Sequence, residues 1–491
     1  MTDSAARRSA TAPTPLLDGF AERLTAIGVA LDEFTATGSD AVPRREEWQA
    51  ALSGPLPEGG VGADSVLAEL ADVVVPNGTR LMAPGWWGYI TNGPTTVPLV
   101  ASVAAAVGSP QRYTITAFNL LEEQSLEWLA DLCGLPPHLK GVYSSGGSVA
   151  NLVALGAARQ HAGERHGVDP GADGLGGLRL AVYASDETHH TVQRAAGVLG
   201  LGRASVRHVG TDPQLRMRPD LLEAAIAADV ADGVVPMAVV ATAGTTNTGS
   251  IDDLRALGVI AHDAGAWFHV DGAYGLPGIL DERVTEHYDG LELADSAIVD
   301  PHKWLGAPIG IGATFVRDRA LLHRAFTQEP AAYLEMTGGA DGSVESSLDS
   351  MGVPYADFGV ELSAQARGVV VWSILRELGR AGVTARVRAD NDLARRVAVL
   401  AREHPRLELL LDPVLSVCCF RYLPDEGDPD AVNAEILRRL HRSTGFIPSS
   451  TRVGESFALR PCFINPRTTP DLVDAFVAAV VDLGDEIVAG R

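Results

Sequence analysis

Apolar and polar positions follow two rhythms along this chain. Over residues 16–31 and 65–74 the apolar residues recur at helical spacing, with a Pro/Gly-rich stretch at 53–62 between them. This predicts a tail and helical arm over residues 1–80. From about Gly141 short apolar runs alternate with longer helical ones. Strands are predicted at 178–184, 237–242, 267–270, 296–299 and 313–316, with helices at 149–161 and 254–264. Such alternation predicts an α/β fold over residues 81–379: a mostly parallel sheet with helices on both faces. After Gly379 a helix at 383–404, an apolar strand at 415–422 and a closing helix at 469–488 predict a smaller α+β domain over 380–491. Polar or glycine-rich residues follow three of the large domain's strands at once, at 244–249, 271–275 and 300–303. Ligands of open α/β sheets bind beyond the carboxyl ends of the strands, so these tips are expected to share one crevice.

Composition narrows the ligand. The chain has 491 residues, enough for two or three domains, and its 46% hydrophobic content includes no uncharged apolar run of about 18 residues that would span a membrane. The opening MTDSAARRSATAPTP lacks the apolar centre of a secretory signal, so a cytoplasmic protein with a polar tail is expected. The four cysteines, Cys133, Cys418, Cys419 and Cys462, form no CxxC pair and read as core residues. A net charge of -23 opposes nucleic acid and anionic membranes as partners and leaves a small molecule as the expected ligand.

Among 39 Lys plus Arg only two are lysine, Lys140 and Lys303. Arginine stays protonated, whereas a lysine in a dry pocket can lose its proton and act as a nucleophile. Lys303 sits in Asp300-Pro301-His302-Lys303-Trp304, where a strand ends, and reads either as such an amine or as a lysine reaching out from a buried edge. Ser144-Ser145-Gly146-Gly147-Ser148 enters a helix through glycines and reads as an anion site or as a simple capped helix start. Asp271, at the end of an apolar strand, reads as a helix cap or as the partner of a protonated heterocycle nitrogen. His189, in Ser185-Asp186-Glu187-Thr188-His189-His190, reads as a cap or as a ring that stacks on a flat ligand. His269 and Asp271 share a strand face as two metal ligands would, but no third ligand stands at a suitable spacing and HExxH is absent, so no metal is expected. Together an anion cradle, a carboxylate, an aromatic face and an amine match the phosphate, pyridinium nitrogen, ring and aldehyde of pyridoxal 5'-phosphate.

At this point the sequence resembles the group II pyridoxal-phosphate-dependent decarboxylases, the family of aromatic L-amino acid decarboxylase, over roughly residues 64–477. The resemblance rests on Pro-His-Lys-Trp at 301–304, Val-Asp-x-Ala-Tyr at 270–274 and Gly-Thr-Thr at 244–246. It implies the type I aminotransferase-like fold, with Lys303 bonded to the cofactor, Asp271 on the pyridine nitrogen and His189 stacked on the ring. Gly147, Ser148 and His302 would hold the phosphate, and Thr246 and Ala273 would line the cofactor. The family's Ser-Asp-x-x-His spacing selects His189 over His190. Tyr333 matches a mobile-loop tyrosine that returns a proton to the substrate, with the Gly/Ser-rich 337–347 as a lid. Trp86 and Tyr89 match the substrate wall. The resemblance further implies a homodimer with shared active sites and the conversion of an L-amino acid, aromatic or bulky, to its amine and carbon dioxide.

Three departures from the family pattern stand out, and the last bears on substrate. Asp300 replaces the asparagine of aromatic decarboxylases, Val149 stands where many relatives are polar, and Gln111-Arg112-Tyr113 is less apolar than its counterpart. Arg112 could meet an acidic or polar side chain. Alternatives are oxidative conversion to an aldehyde, decarboxylation of an acidic substrate, and a non-catalytic assembly protein on the same fold. Relatives that make aldehydes often lack the tyrosine or the stacking histidine, so having both favours simple decarboxylation. An aminotransferase needs a C-terminal arginine for the substrate carboxylate, and Arg421 and Arg460 both lie in apolar, strand-like contexts.

Overall fold

A computed structural model of the chain describes residues 19–36, 45–108, 117–327 and 355–490. The chain divides into two compact units, Met1–Ala83 and Pro84–Arg491. In the first, helices Phe20–Ala36, Arg45–Leu52 and Ala63–Glu69 are followed by a wider turn, Leu70–Val74. The Arg80 guanidinium lies 4.5 Å above the Phe34 ring and donates to the Phe34 carbonyl. Helix Phe20–Ala36 buries none of its residues.

The second unit contains both sheets. In chain order its strands are β1 (Trp86–Trp87), β2 (Lys140–Ser144), β3 (Leu180–Ser185), β4 (Val206–Val209), β5 (Val235–Thr242), β6 (Trp267–Asp271), β7 (Ser296–Val299), β8 (Gly312–Val316), β9 (Leu407–Leu411), β10 (Cys419–Tyr422), β11 (Ile447–Val453) and β12 (Ser456–Arg460). The large sheet has the order β2-β8-β7-β6-β5-β3-β4. Pairings are parallel from β7 to β4, and β8 runs antiparallel to both its neighbours. Two reversals cancel, so β2 again points the same way as β7. The C-terminal ends of β2, β3, β5, β6 and β7 therefore lie along one edge.

Alternation along β6 shows how both faces are covered. Phe268 packs toward helix Leu254–Asp263, where a Cβ on Gly258 would come within 3.0 Å of its ring. Trp267 and His269 face the other way, toward helix Gly147–Arg165, where His161 lies 5.5 Å from Trp267 and Asn151 bonds His269. Burial on both faces makes these strands continuous apolar runs, and every residue of β6 is buried.

The smaller sheet has the order β1-β11-β12-β10-β9. Its N-terminal member β1 pairs in parallel with β11, Trp86 opposite Ile447, so residues just after 83 complete a sheet otherwise built from the C-terminal part of the chain. Trp87 anchors it, with ring centroids of Phe446, Phe463 and Phe476 at 5.4, 5.2 and 5.1 Å. Within Arg367–Glu403 two helices meet at a kink at Gly379, whose φ of 61° and ψ of 177° are non-helical.

Candidate active site

Five strand ends deliver side chains to one cavity of ≈ 280 Å³, near the lower end of the ~300–1,000 Å³ usual for small-molecule sites. From β2 the chain passes Ser144 and enters helix Gly147–Arg165 through Gly146, whose φ of 126° favours glycine and which bonds no side-chain cap. The amide end of that helix thus opens beside the cavity-lining Ser145 and Ser148, as an anion site requires. Gly147 is needed for a second reason: a Cβ there would lie 2.7 Å from Asp300 Oδ2.

Past β7, Asp300, Pro301, His302 and Lys303 form a turn closed by the Lys303 amide on the Asp300 carbonyl at 2.9 Å. Asn92 fixes the turn from outside, its side-chain amide donating to the carbonyls of Lys303 at 2.9 Å and Ile464 at 2.7 Å. Lys303 Nζ lies 3.3 Å from Asp300 Oδ2. His302 Nδ1 is 2.6 Å from the Ile311 carbonyl, which can only accept, so Nδ1 carries a proton, while Nε2 lies 3.7 Å from Asp300 Oδ2.

Asp271 ends β6, 5% exposed, with Oδ2 accepting from Asn151 Nδ2 at 3.0 Å and Oδ1 from the Ala273 amide at 3.2 Å. His189 follows β3 and bonds Thr191 Oγ1 through Nδ1 at 2.8 Å. Burial pushes its pKa down and His190 and Lys303 add to that, while Asp271 opposes it. His189 lines the cavity and its exposed neighbour His190 does not.

The cavity brings together Gly147, Ser148, His189, Thr246, Asp271, Ala273, His302 and Lys303. Trp86 and Tyr89 line an adjoining cavity of ≈ 520 Å³ instead, and Thr246 borders both. Arg112 and Tyr333 lie outside the described residues, as do Gln111, Tyr113 and the stretch 337–347. Of the two C-terminal arginines, Arg421 bonds Glu408 at 2.6 Å. Arg460 donates to the carbonyls of Asn247, Tyr89 and Thr246, tying the two cavities' walls together. Sequence reasoning missed Asn151, Thr191 and Thr242. Asn151 had a signal, since it stands four residues after Gly147 and so on the same helix face; Thr191 and Thr242 had none.

The lining fits pyridoxal phosphate. Two of its buried polar atoms, Thr242 Oγ1 and Asp300 Oδ1, have no partner among the described residues, a costly state that a polar ligand relieves. An uncapped helix start, a buried carboxylate, a half-buried imidazole and a lysine amine are present in one cavity. No group of three metal-ligating side chains occurs among the described residues, and His269 has both nitrogens engaged, with Ser296 at 2.8 Å and Asn151 at 2.9 Å.

The sequence pattern described as the pyridoxal-dependent decarboxylase conserved domain matches residues 55–423. An aromatic-L-amino-acid decarboxylase of Bacillus atrophaeus is 30% identical over 445 residues, 89% of this chain and 88% of that protein. A phenylacetaldehyde synthase of Arabidopsis thaliana is 27% identical over 419 residues, 82% of each chain. Among solved structures, that of Oryza sativa TDC with PLP and tryptamine superposes with a TM-score of 0.86 at 27% identity, covering 97% of this chain and 99% of the other.

Proposed function

We propose, from the premise that the chain belongs to the pyridoxal-dependent decarboxylase family and removes carbon dioxide from an amino acid with pyridoxal phosphate, that its substrate is a free aromatic L-amino acid and its product the amine. The observation that carries this reading is Lys303 at the tip of β7, in one cavity with Asp271, His189 and an uncapped helix start. When bound, the cofactor supplies an aldehyde for an amine and a ring that accepts the electron pair released as the carboxylate leaves.

Lys303 would carry the cofactor on its side-chain amine. Gly147, Ser148 and His302 hold its phosphate, aided by the dipole of helix Gly147–Arg165. Asp271, accepting from the Asn151 side-chain amide and the Ala273 backbone amide, would face the ring nitrogen and hold a proton there, which would make the ring a better electron acceptor. His189 offers its imidazole face, with Ala273 and Thr246 filling the remaining wall. Tyr333 returns a proton to the substrate α-carbon through its phenol, a role resting on the family resemblance.

Aromatic substrates are favoured by the adjoining cavity, where Trp86, Tyr89, Leu437, Ile447 and Pro448 supply an apolar wall beside Thr246. A homodimer is favoured by apolar residues left exposed, Val97, Val100 and Val107 on helix Thr96–Gly108 and Leu120 on the next helix. A cytoplasmic setting agrees with four free thiols, the state that a reducing compartment maintains. No helix among the described residues is long and apolar enough to cross a membrane.

The test is product analysis by mass spectrometry, with the loaded enzyme in air and a panel of aromatic and acidic amino acids. The expected result is an amine lighter than its aromatic parent by carbon dioxide, with Tyr333→Phe diverting part of the flux to aldehyde. Aldehyde with peroxide from the parent enzyme would overturn the amine assignment, and turnover of glutamate or aspartate alone would overturn the substrate class.

A further inference from the structure

Behind Asp271 lies a buried chain of hydrogen bonds. Trp267 Nε1 donates to Ser296 Oγ at 2.7 Å, Ser296 Oγ meets His269 Nδ1 at 2.8 Å, and His269 Nε2 meets Asn151 Oδ1 at 2.9 Å. The Asn151 amide then reaches Asp271 Oδ2 at 3.0 Å and Thr191 Oγ1 at 3.2 Å. Thr191 in turn bonds His189 at 2.8 Å, so the chain branches to both groups assigned to the cofactor ring. Trp267, Ser296, His269, Asn151 and Thr191 are each at most 2% exposed, so bulk water cannot replace a lost partner.

The two ends give the chain a direction. An indole N–H only donates and an ionised carboxylate only accepts. Ser296 Oγ accepts from Trp267, and at the other end the Asn151 NH2 donates to Asp271, so the Asn151 carbonyl faces His269 and takes its Nε2–H, which leaves Nδ1 to accept the Ser296 hydroxyl proton. The flipped Asn151 amide would set oxygen against a carboxylate at 3.0 Å. Burial agrees with a neutral ring, pushing the pKa of His269 down to about 4 against the opposing field of Asp271. Register supports the arrangement, because His269 pairs directly with Ser296 across β6 and β7.

We propose that His269 and Asn151 are positioning residues: the Nε2–H tautomer, held by the Ser296 hydroxyl on Nδ1, locks the Asn151 amide so that it donates to Asp271 and, through Thr191, sets His189. This rests on the assignment of Asp271 to the ring nitrogen. It predicts that the polarity of the bonds matters more than the space they fill.

The experiment titrates full-length, cofactor-stripped protein with pyridoxal 5'-phosphate, reading the dissociation constant and the pH midpoint of the bound cofactor's absorbance band. Asn151→Asp, nearly isosteric, still accepts from His269 but turns like charge on Asp271; affinity is expected to fall roughly tenfold or more, with a shifted midpoint. His269→Gln keeps a donor near the Nε2 position and is expected within ~3-fold of the parent, whereas His269→Leu, with no donor, loses roughly tenfold. An Asn151→Asp protein with parental affinity and midpoint would overturn the proposal, as would His269→Gln as impaired as His269→Leu. Should Asn151→Asp fail to fold, Ser296→Ala replaces it: a shifted midpoint supports the held tautomer and a parental one refutes it. Asp271→Asn in the same titration separates the two readings. If it binds as the parent does, the Asp271 assignment fails; if it is impaired while Asn151→Asp is not, only the present inference fails.

Discussion

Gly147 carries two opposing effects that can be weighed. Alanine there would gain helix propensity, up to ~1 kcal/mol. Its Cβ, however, would stand 2.7 Å from Asp300 Oδ2, and forcing such contacts costs typically ~1–3 kcal/mol. The steric term wins, so Gly147→Ala should bind pyridoxal phosphate more weakly and melt lower than the parent. Higher melting with unchanged binding would mean that Asp300 moves away freely. At this scale much of the cavity was legible in the sequence, because Lys303, Asp271, His189 and the glycine turn each stand at a strand end where a polar residue is conspicuous. The bonds from His269 to Asn151 and Ser296 were not, since they cross 118 and 27 residues of chain. Trp86 and Tyr89 line the neighbouring cavity because β1 joins the smaller sheet, a pairing that two residues of sequence do not announce.

Behind the lysine turn, Trp304 Nε1 donates at 2.7 Å to Asp390, a buried carboxyl on helix Arg367–Glu403. Burial raises its pKa from 3.8 to about 8, against the opposing effects of the Trp304 bond and Arg386. A folded-state pKa above the unfolded one means stability that is full below pH ~4 and lost as pH rises through ~8. Between pH 7 and 9 this amounts to about 1.4 kcal/mol. Asp390→Asn keeps an oxygen for Trp304 and removes the titration, so thermal melts should show the parent losing more stability than the variant over that interval. Parallel pH curves would place the ionisation elsewhere. Among the elements, long periodic helices and apolar strands were readable. In the smaller sheet β1, β9, β11 and β12 were missed, and in the large sheet β2 and β4, because Lys140-Gly141-Val142-Tyr143-Ser144 contains a glycine and a charge, and Val206-Arg207-His208-Val209 offers two apolar residues. The last two are specified by the strands beside them, β2 by β8 and β4 by β3.

Among the described residues, both units leave apolar side chains exposed. Helix Phe20–Ala36 buries nothing while Phe20, Leu24, Val29 and Leu31 are exposed, and in the second unit Val100 is 63% and Leu120 69% exposed. Light scattering should report about twice the 51.5 kDa chain mass, and Val100→Asp with Leu120→Asp should shift the protein toward monomer with lower specific activity. A parent that scatters as a 51.5 kDa monomer and remains active would remove the shared-site reading.

The reading of the site depends on which amine holds the cofactor, and the composition makes that question simple to ask. Only Lys140 and Lys303 offer a side-chain amine. Lys140 is exposed and pairs with Glu127 at 3.9 Å, while Lys303 faces the cavity. Reduction of the loaded protein with borohydride, followed by digestion and peptide mass spectrometry, fixes the cofactor to the residue that carries it. The added mass should fall on the peptide containing Lys303 and vanish in Lys303→Ala together with turnover; a label on Lys140, or turnover that survives loss of Lys303, would contradict the account.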